Sequence, residues 1–140
     1  GSTSAGGLFV CSETHELPYM NLRPFRVNAG ALHLYAWAPD NRTVYLTDLK
    51  AGSEMLAVNH AGVARRVTVG RVKIERRPLL YIEAEIEGVA INTFIQDDWH
   101  VRLMGHDGTI RPCREVAVGE QLLGYRDVPG RHVGIALRVA

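Results

Sequence analysis

Two polar clusters hold most of the side chains able to do chemistry. The first runs from Ser12 to His33 and contains Glu13, Arg23, Arg26, Asn28 and His33. Arg23 and Arg26 carry guanidinium forks that match a phosphate or carboxylate, with ion pairing to Glu13 or Glu16 as the plainer use. Asn28-Ala29-Gly30 supplies an amide and a flexible backbone for close approach of a ligand, or a turn before the next strand. His33 alternates with Leu32 and Leu34, as a core or edge histidine of a strand would. The second cluster is Gln96-Asp97-Asp98-Trp99-His100. Carboxylate oxygen suits a hard divalent cation such as Mg²⁺ or Mn²⁺, with imidazole tolerated by Mn²⁺. Adjacent acids in a strand point to opposite faces, so Asp98 and His100 form the same-face pair. A solvated strand start with Trp99 packed inward is the alternative. Arg131-His132, after Pro129-Gly130, sits on a turn able to close over a ligand.

Known catalytic signatures are missing around these clusters. The sequence has no Cys-x-x-Cys, His-Glu-x-x-His, Gly-x-Ser-x-Gly, phosphate loop or Gly-x-Gly-x-x-Gly. Whatever chemistry the polar residues support must therefore be assembled by the fold.

The elements that position them read as strands. Leu80, Ile82, Ala84 and Ile86 alternate with Tyr81, Glu83, Glu85 and Glu87, the period of a half-buried strand. Similar runs occur at 8–11, 32–37, 43–46, 55–58, 63–74, 89–95, 101–104 and 121–125, separated by turn signals such as Pro39-Asp40-Asn41 and His106-Asp107-Gly108. No stretch keeps a helical period over three turns. An internal echo adds a symmetry: Asp48 to Val58 aligns without gaps on Glu115 to Tyr125, an offset of 67 residues, and each copy places a Gly before a strand. The expected fold is all-β, a pseudo-two-fold barrel or sandwich of short antiparallel strands similar to the hedgehog/intein fold. Its expected division is 1–30 as an irregular linking segment with an initial strand, and 31–140 as the β-barrel domain. The splicing chemistry of that fold is not expected, because Gly1 and Val139-Ala140 stand where a nucleophile and His-Asn would be needed.

Composition narrows the function classes. At 140 residues the chain has room for one domain. Lys and Arg number 16 against 15 Asp and Glu, interspersed along the chain, so no basic field for nucleic acid exists. No charge-free run approaches the roughly 20 apolar residues of a membrane span. Gly1 to Gly7 lacks an initiator Met and the pattern of a signal peptide, as expected of a chain cut from something longer. Cys11 and Cys113 are too few for a disulfide framework and are expected as buried free thiols in the cytoplasm.

Three blocks then carry a family likeness. Ser12-Glu13-Thr14 with Leu17-Pro18-Tyr19-Met20, Arg23-Pro24-Phe25-Arg26-Val27-Asn28-Ala29-Gly30-Ala31-Leu32-His33, and Val69-Gly70-Arg71-Val72-Lys73-Ile74-Glu75-Arg76-Arg77-Pro78-Leu79-Leu80 resemble the C-terminal part of the 3-dehydroquinate synthase II family. Gln96 to Arg102 and Arg131-His132-Val133-Gly134 resemble its 3-amino-4-hydroxybenzoate synthase branch. The resemblance implies a cyclising lyase of secondary metabolism. It would turn a linear C7 amino keto acid phosphate into an aromatic ring with Mn²⁺ and without nicotinamide, working with the N-terminal portion of the same enzyme, with a homo-oligomer as an expected assembly. The other branch implies an NAD-dependent 3-dehydroquinate synthase of the shikimate pathway, and a third reading is a non-catalytic lid or oligomerisation domain. Over the implied reaction, Glu13 and His33 are the expected proton-transfer residues. Arg23, Arg26, Asn28 and His132 are the expected substrate contacts, and Asp98 and His100 the expected metal ligands.

Overall fold

The structure is a computed structural model, and it describes residues 1–2, 5–13 and 26–126. Arg23 and His132 lie outside the described residues.

Ten strands and two single 3₁₀ turns account for the regular structure, and no α-helix occurs among the described residues. The strands are β1 (Gly6–Leu8), β2 (Tyr35–Ala38), β3 (Arg42–Tyr45), β4 (Glu54–Val58), β5 (Ala64–Thr68), β6 (Leu79–Ile86), β7 (Val89–Gln96), β8 (Arg102–Met104), β9 (Ile110–Pro112) and β10 (Gly124–Arg126). All pair antiparallel in five two-stranded sheets: β1 with β10, β2 with β3, β4 with β5, β6 with β7, and β8 with β9. The class is the expected all-β one, but the ladders do not close into a barrel. Isolated bridges, Val10 to Leu103 and Gly105 to Leu122, link them instead.

The echo extends well beyond the turn that revealed it. Tyr35 pairs with Tyr45 and Trp37 with Thr43 in the first copy; 67 residues later Arg102 pairs with Pro112 and Met104 with Ile110. Leu46 N–H donates to Leu34 O at 2.9 Å, and Cys113 N–H donates to Val101 O at 2.9 Å. Leu46–Asp48 and Cys113–Glu115 are the two 3₁₀ turns. Each leads to a glycine in the left-handed region, Gly52 at φ 91° and Gly119 at φ 89°. Other residues pay a steric cost there, since a Cβ crowds the following carbonyl.

The long hairpin β6–β7 is the frame for everything else. Its inner face carries Leu80, Ile82, Ile91 and Ile95, and Ile95 joins Val101, Leu103 and Cys113 in the core. Its outer face carries Tyr81, Asn92, Phe94 and Gln96. A second apolar centre joins the two copies, with Trp37 stacked on Tyr125 at 3.9 Å between ring centroids and Phe9 against both. Cys11 and Cys113 are buried free thiols, as the sequence suggested.

Two expectations are corrected. The run 63–74 is a paired strand only over β5 and the Val69 bonds that follow it, because no neighbouring edge in the described residues meets 70–74. His33 precedes β2 in a turn rather than lying within a strand.

Candidate functional site

The outer end of β7 gathers polar side chains from both clusters. Residues 26–33 run beside it in extended and turn conformations, held by the Ala31 N–H donating to Phe94 O at 2.9 Å. Asn28 Nδ2 donates to Gln96 Oε1 at 2.9 Å. His33 packs edge-on against Phe94, with centroids 4.9 Å apart, and its ring is otherwise exposed. Gly30 is required for this approach: its φ is 107°, and a Cβ there would stand 2.5 Å from Phe94 O.

Past Gln96 the chain leaves the ladder and bends. Residues 97–100 form this bend and turn, so Asp98 and His100 meet through a turn rather than as strand neighbours on one face. Asp98 Oδ1 accepts the His100 backbone N–H at 2.9 Å and lies 2.6 Å from His100 Nδ1. Burial alone would raise the Asp98 carboxyl. The two hydrogen bonds from His100, with the charges of His100 and Arg114, outweigh burial and hold it below the usual aspartate value. An ionised carboxylate only accepts, so Nδ1 must carry the shared proton. In the neutral ring Nε2 then presents a lone pair. That Nε2 is buried and has no hydrogen-bond partner among the described residues, the kind of exception that calls for a functional or solvent partner.

The surroundings fix this pair. Cys113 Sγ donates to Asp98 O at 3.3 Å, and burial is the main reason its thiol is shifted up. Arg114 Nε donates to Asp97 Oδ1 at 2.6 Å, and its NH2 donates to Asp97 O at 3.0 Å. Trp99 lies on the outside rather than packed inward, with the Arg114 guanidinium 5.4 Å from its ring centroid. Asp97 and Asp98 therefore have separate duties: one anchors Arg114, the other orients His100.

Arg26 is exposed, and its side chain makes no ion pair among the described residues. Its carbonyl accepts the Glu13 N–H at 2.7 Å, so Glu13 and Arg26 meet through backbone and not through a salt bridge. Glu13 Oε2 is buried without a hydrogen-bond partner among the described residues. No hydrogen bond joins Glu13 to His33. The structure thus brings together Asn28 with Gln96 and Asp98 with His100. Cys113 and Arg114 were missed as supports of the bend, because their only signal is proximity created by β8–β9.

The donor set fits a metal in part. Among the described residues no group of three or more His, Cys, Asp or Glu is arranged to hold one. His100 Nε2 lacks a hydrogen-bond partner among the described residues, and Asp98 behind it matches the carboxylate that usually orients a ligating histidine. No helix among the described residues is long and apolar enough to cross a membrane.

Comparison with known proteins agrees with the sequence blocks. A family model described as "3-dehydroquinate synthase II C-terminal domain" matches residues 1–139. A 3-amino-4-hydroxybenzoic acid synthase of Streptomyces griseus is 54% identical over 135 residues, covering 96% of this chain and 34% of that protein. A 3-dehydroquinate synthase of Methanococcus maripaludis is 46% identical over 138 residues, 99% of this chain and 38% of its own length. A 3-dehydroquinate synthase homolog of Persephonella marina is 46% identical over 135 residues, 96% of this chain and 41% of its own. The chain spans roughly a third to two fifths of the curated relatives it matches. No solved structure matches.

Proposed function

The chain belongs to the 3-dehydroquinate synthase II family, as its C-terminal domain, and from that premise we propose that it serves a longer cyclising lyase of the 3-amino-4-hydroxybenzoate synthase type. The substrate of that reading is a linear C7 amino keto acid phosphate, closed to an aromatic ring with loss of phosphate and water. The observation that carries it is the 54% identity to the Streptomyces griseus synthase along 96% of the chain. The 46% identity to a 3-dehydroquinate synthase along 99% supports the second reading, an NAD-dependent synthase acting on an unphosphorylated keto acid.

In the proposed reaction this domain contributes His100 as its main reactive group. Asp98 holds the ring with the proton on Nδ1, which leaves Nε2 to take a proton or to bind a cation. Mn²⁺, when bound, would polarise the keto oxygen as a Lewis acid. His100 Nε2 is the atom here that would hold it, with the other ligands coming from elsewhere in the longer synthase. Asp98 is thus better suited to positioning than to direct ligation. Arg26, exposed and unpaired among the described residues, is available to the substrate phosphate or carboxylate. Asn28 is held toward the same end of β7 by Gln96, and Glu13 and His33 are further proton-transfer candidates on the flanking segment.

The reaction itself is the test. Full-length synthase given the phosphorylated substrate, Mn²⁺ and no nicotinamide is expected to develop aromatic absorbance. Product only from the unphosphorylated substrate, and only with NAD, would transfer the assignment to the second reading.

A further inference from the structure

Residues 70–77 belong to no strand or turn and join no sheet among the described residues. The ladders close on either side of them. Val69 N–H donates to Ser53 O at 2.7 Å, and Asp97 N–H donates to Pro78 O at 2.9 Å. Between these points no backbone group of 70–77 is hydrogen-bonded among the described residues, and every residue is exposed. The side chains nevertheless alternate as in a half-buried strand. Lys73, Glu75 and Arg77 share one face, where Glu75 bridges the other two. Val72 and Ile74 occupy the opposite face, and Ile74 is 63% exposed. An unpaired segment that exposes apolar side chains such as Val72 and Ile74 is a surface that proteins usually cover.

The occupant follows from length and charge. Most of the length of the matched relatives lies outside this chain. Residues 71–77 carry Arg71, Lys73, Arg76 and Arg77 against Glu75 alone, so a second copy laid antiparallel would bring two segments of net positive charge together, with Arg71 facing Arg77. We propose that residues 71–77 add as a strand to a sheet in the preceding portion of the longer synthase, beside an edge strand bearing carboxylates. Val72 and Ile74 then face that portion's interior, while the Lys73-Glu75-Arg77 row stays at the rim. The inference rests on reading the chain as one domain of a longer synthase, but not on which reaction that synthase performs.

Two measurements on the wild-type length of the synthase test it, with product formation assayed in the same preparation. Hydrogen exchange of the 71–77 amides is expected to be slowed at least about 100-fold relative to unprotected amides. With Ile74 replaced by a photo-cross-linking phenylalanine analogue, irradiation is expected to join position 74 to a peptide outside these 140 residues, within a product of monomer mass. Free exchange of 71–77 overturns the inference, as does a cross-link to a second copy or to residues within this domain. An active synthase with free exchange would refute the strand addition alone. A protected segment in a synthase that makes no aromatic product would refute the proposed reaction alone.

Discussion

Asp98 grips His100 at two points with one oxygen: Oδ1 accepts the backbone N–H at 2.9 Å and lies 2.6 Å from Nδ1 of the ring. This fixes both the position and the tautomer of the imidazole. The buried Nε2, without a partner among the described residues, is left as the reactive end. The fold holds the pair by three supports, namely the end of β7, the Cys113 thiol under Asp98 O and the Arg114 clamp on Asp97. A carboxyl lowered in this way stabilises the fold above the usual aspartate pKa, and that contribution is lost as pH falls through its lowered value.

Arg26 is predicted to act on binding rather than on stability. Its side chain is exposed and makes no ion pair among the described residues. In the full-length synthase Arg26→Ala should raise KM by about 10-fold, the order of one charge-assisted contact to an anion, and leave the melting temperature unchanged. Steady-state kinetics with the phosphorylated substrate decides it; unchanged turnover and KM would remove Arg26 from the site.

Trp37 is predicted to be the costliest aromatic side chain to truncate. It is 8% exposed, stacks on Tyr125 and meets Phe9, so it ties the first copy to the end of the second. Trp37→Ala should destabilise the chain by about 3–5 kcal/mol. Trp37→Phe should cost much less, since the indole Nε1 has no hydrogen-bond partner to lose among the described residues. Urea denaturation of the two variants gives the comparison, and equal losses would contradict it.

The two thiols are predicted to be slow to react and to make the fold sensitive to alkali. Burial pushes the Cys11 thiol up to about 11, partly opposed by the charge of Arg102, and burial likewise raises Cys113. A pKa raised on folding favours the native state below the ordinary thiol value near 9. As pH rises from there through about 11, the unfolded chain ionises first and stability falls. Alkylation at pH 8 should therefore wait on opening of the fold, and Cys11→Ala should flatten the alkaline loss. Rapid labelling of both thiols in native protein would count against this.

Much of the fold was legible because period-2 alternation reports burial directly. Leu80 to Ile86 alternates on paper and in the structure alike, and the echo at Gly52 and Gly119 marks turns that demand a positive φ. The extent of the echo was not legible, because Tyr35 and Arg102, or Trp37 and Met104, hold equivalent places in the ladder with unlike side chains. The alternation over 63–74 runs past the paired strand because pattern shows what a segment can pair with, not whether an edge is present. At the site, Asp98 and His100 were legible as a pair from spacing. Their arrangement was not, because a turn and not a strand brings them together, and because Cys113 and Arg114 reach the bend only through β8–β9.

The role of His100 is tested most directly by the rate of aromatic product formation in full-length synthase carrying Asp98→Asn or His100→Ala, followed across pH with the phosphorylated substrate, Mn²⁺ and no nicotinamide. His100→Ala is expected to lose at least about 100-fold in kcat, as general acid–base groups typically supply. Asp98→Asn should lose about 10–100-fold, as expected for the partner that orients such a ring, with a shifted pH profile and a retained cooperative unfolding transition. Wild-type rates and an unchanged pH profile in both variants would contradict that role.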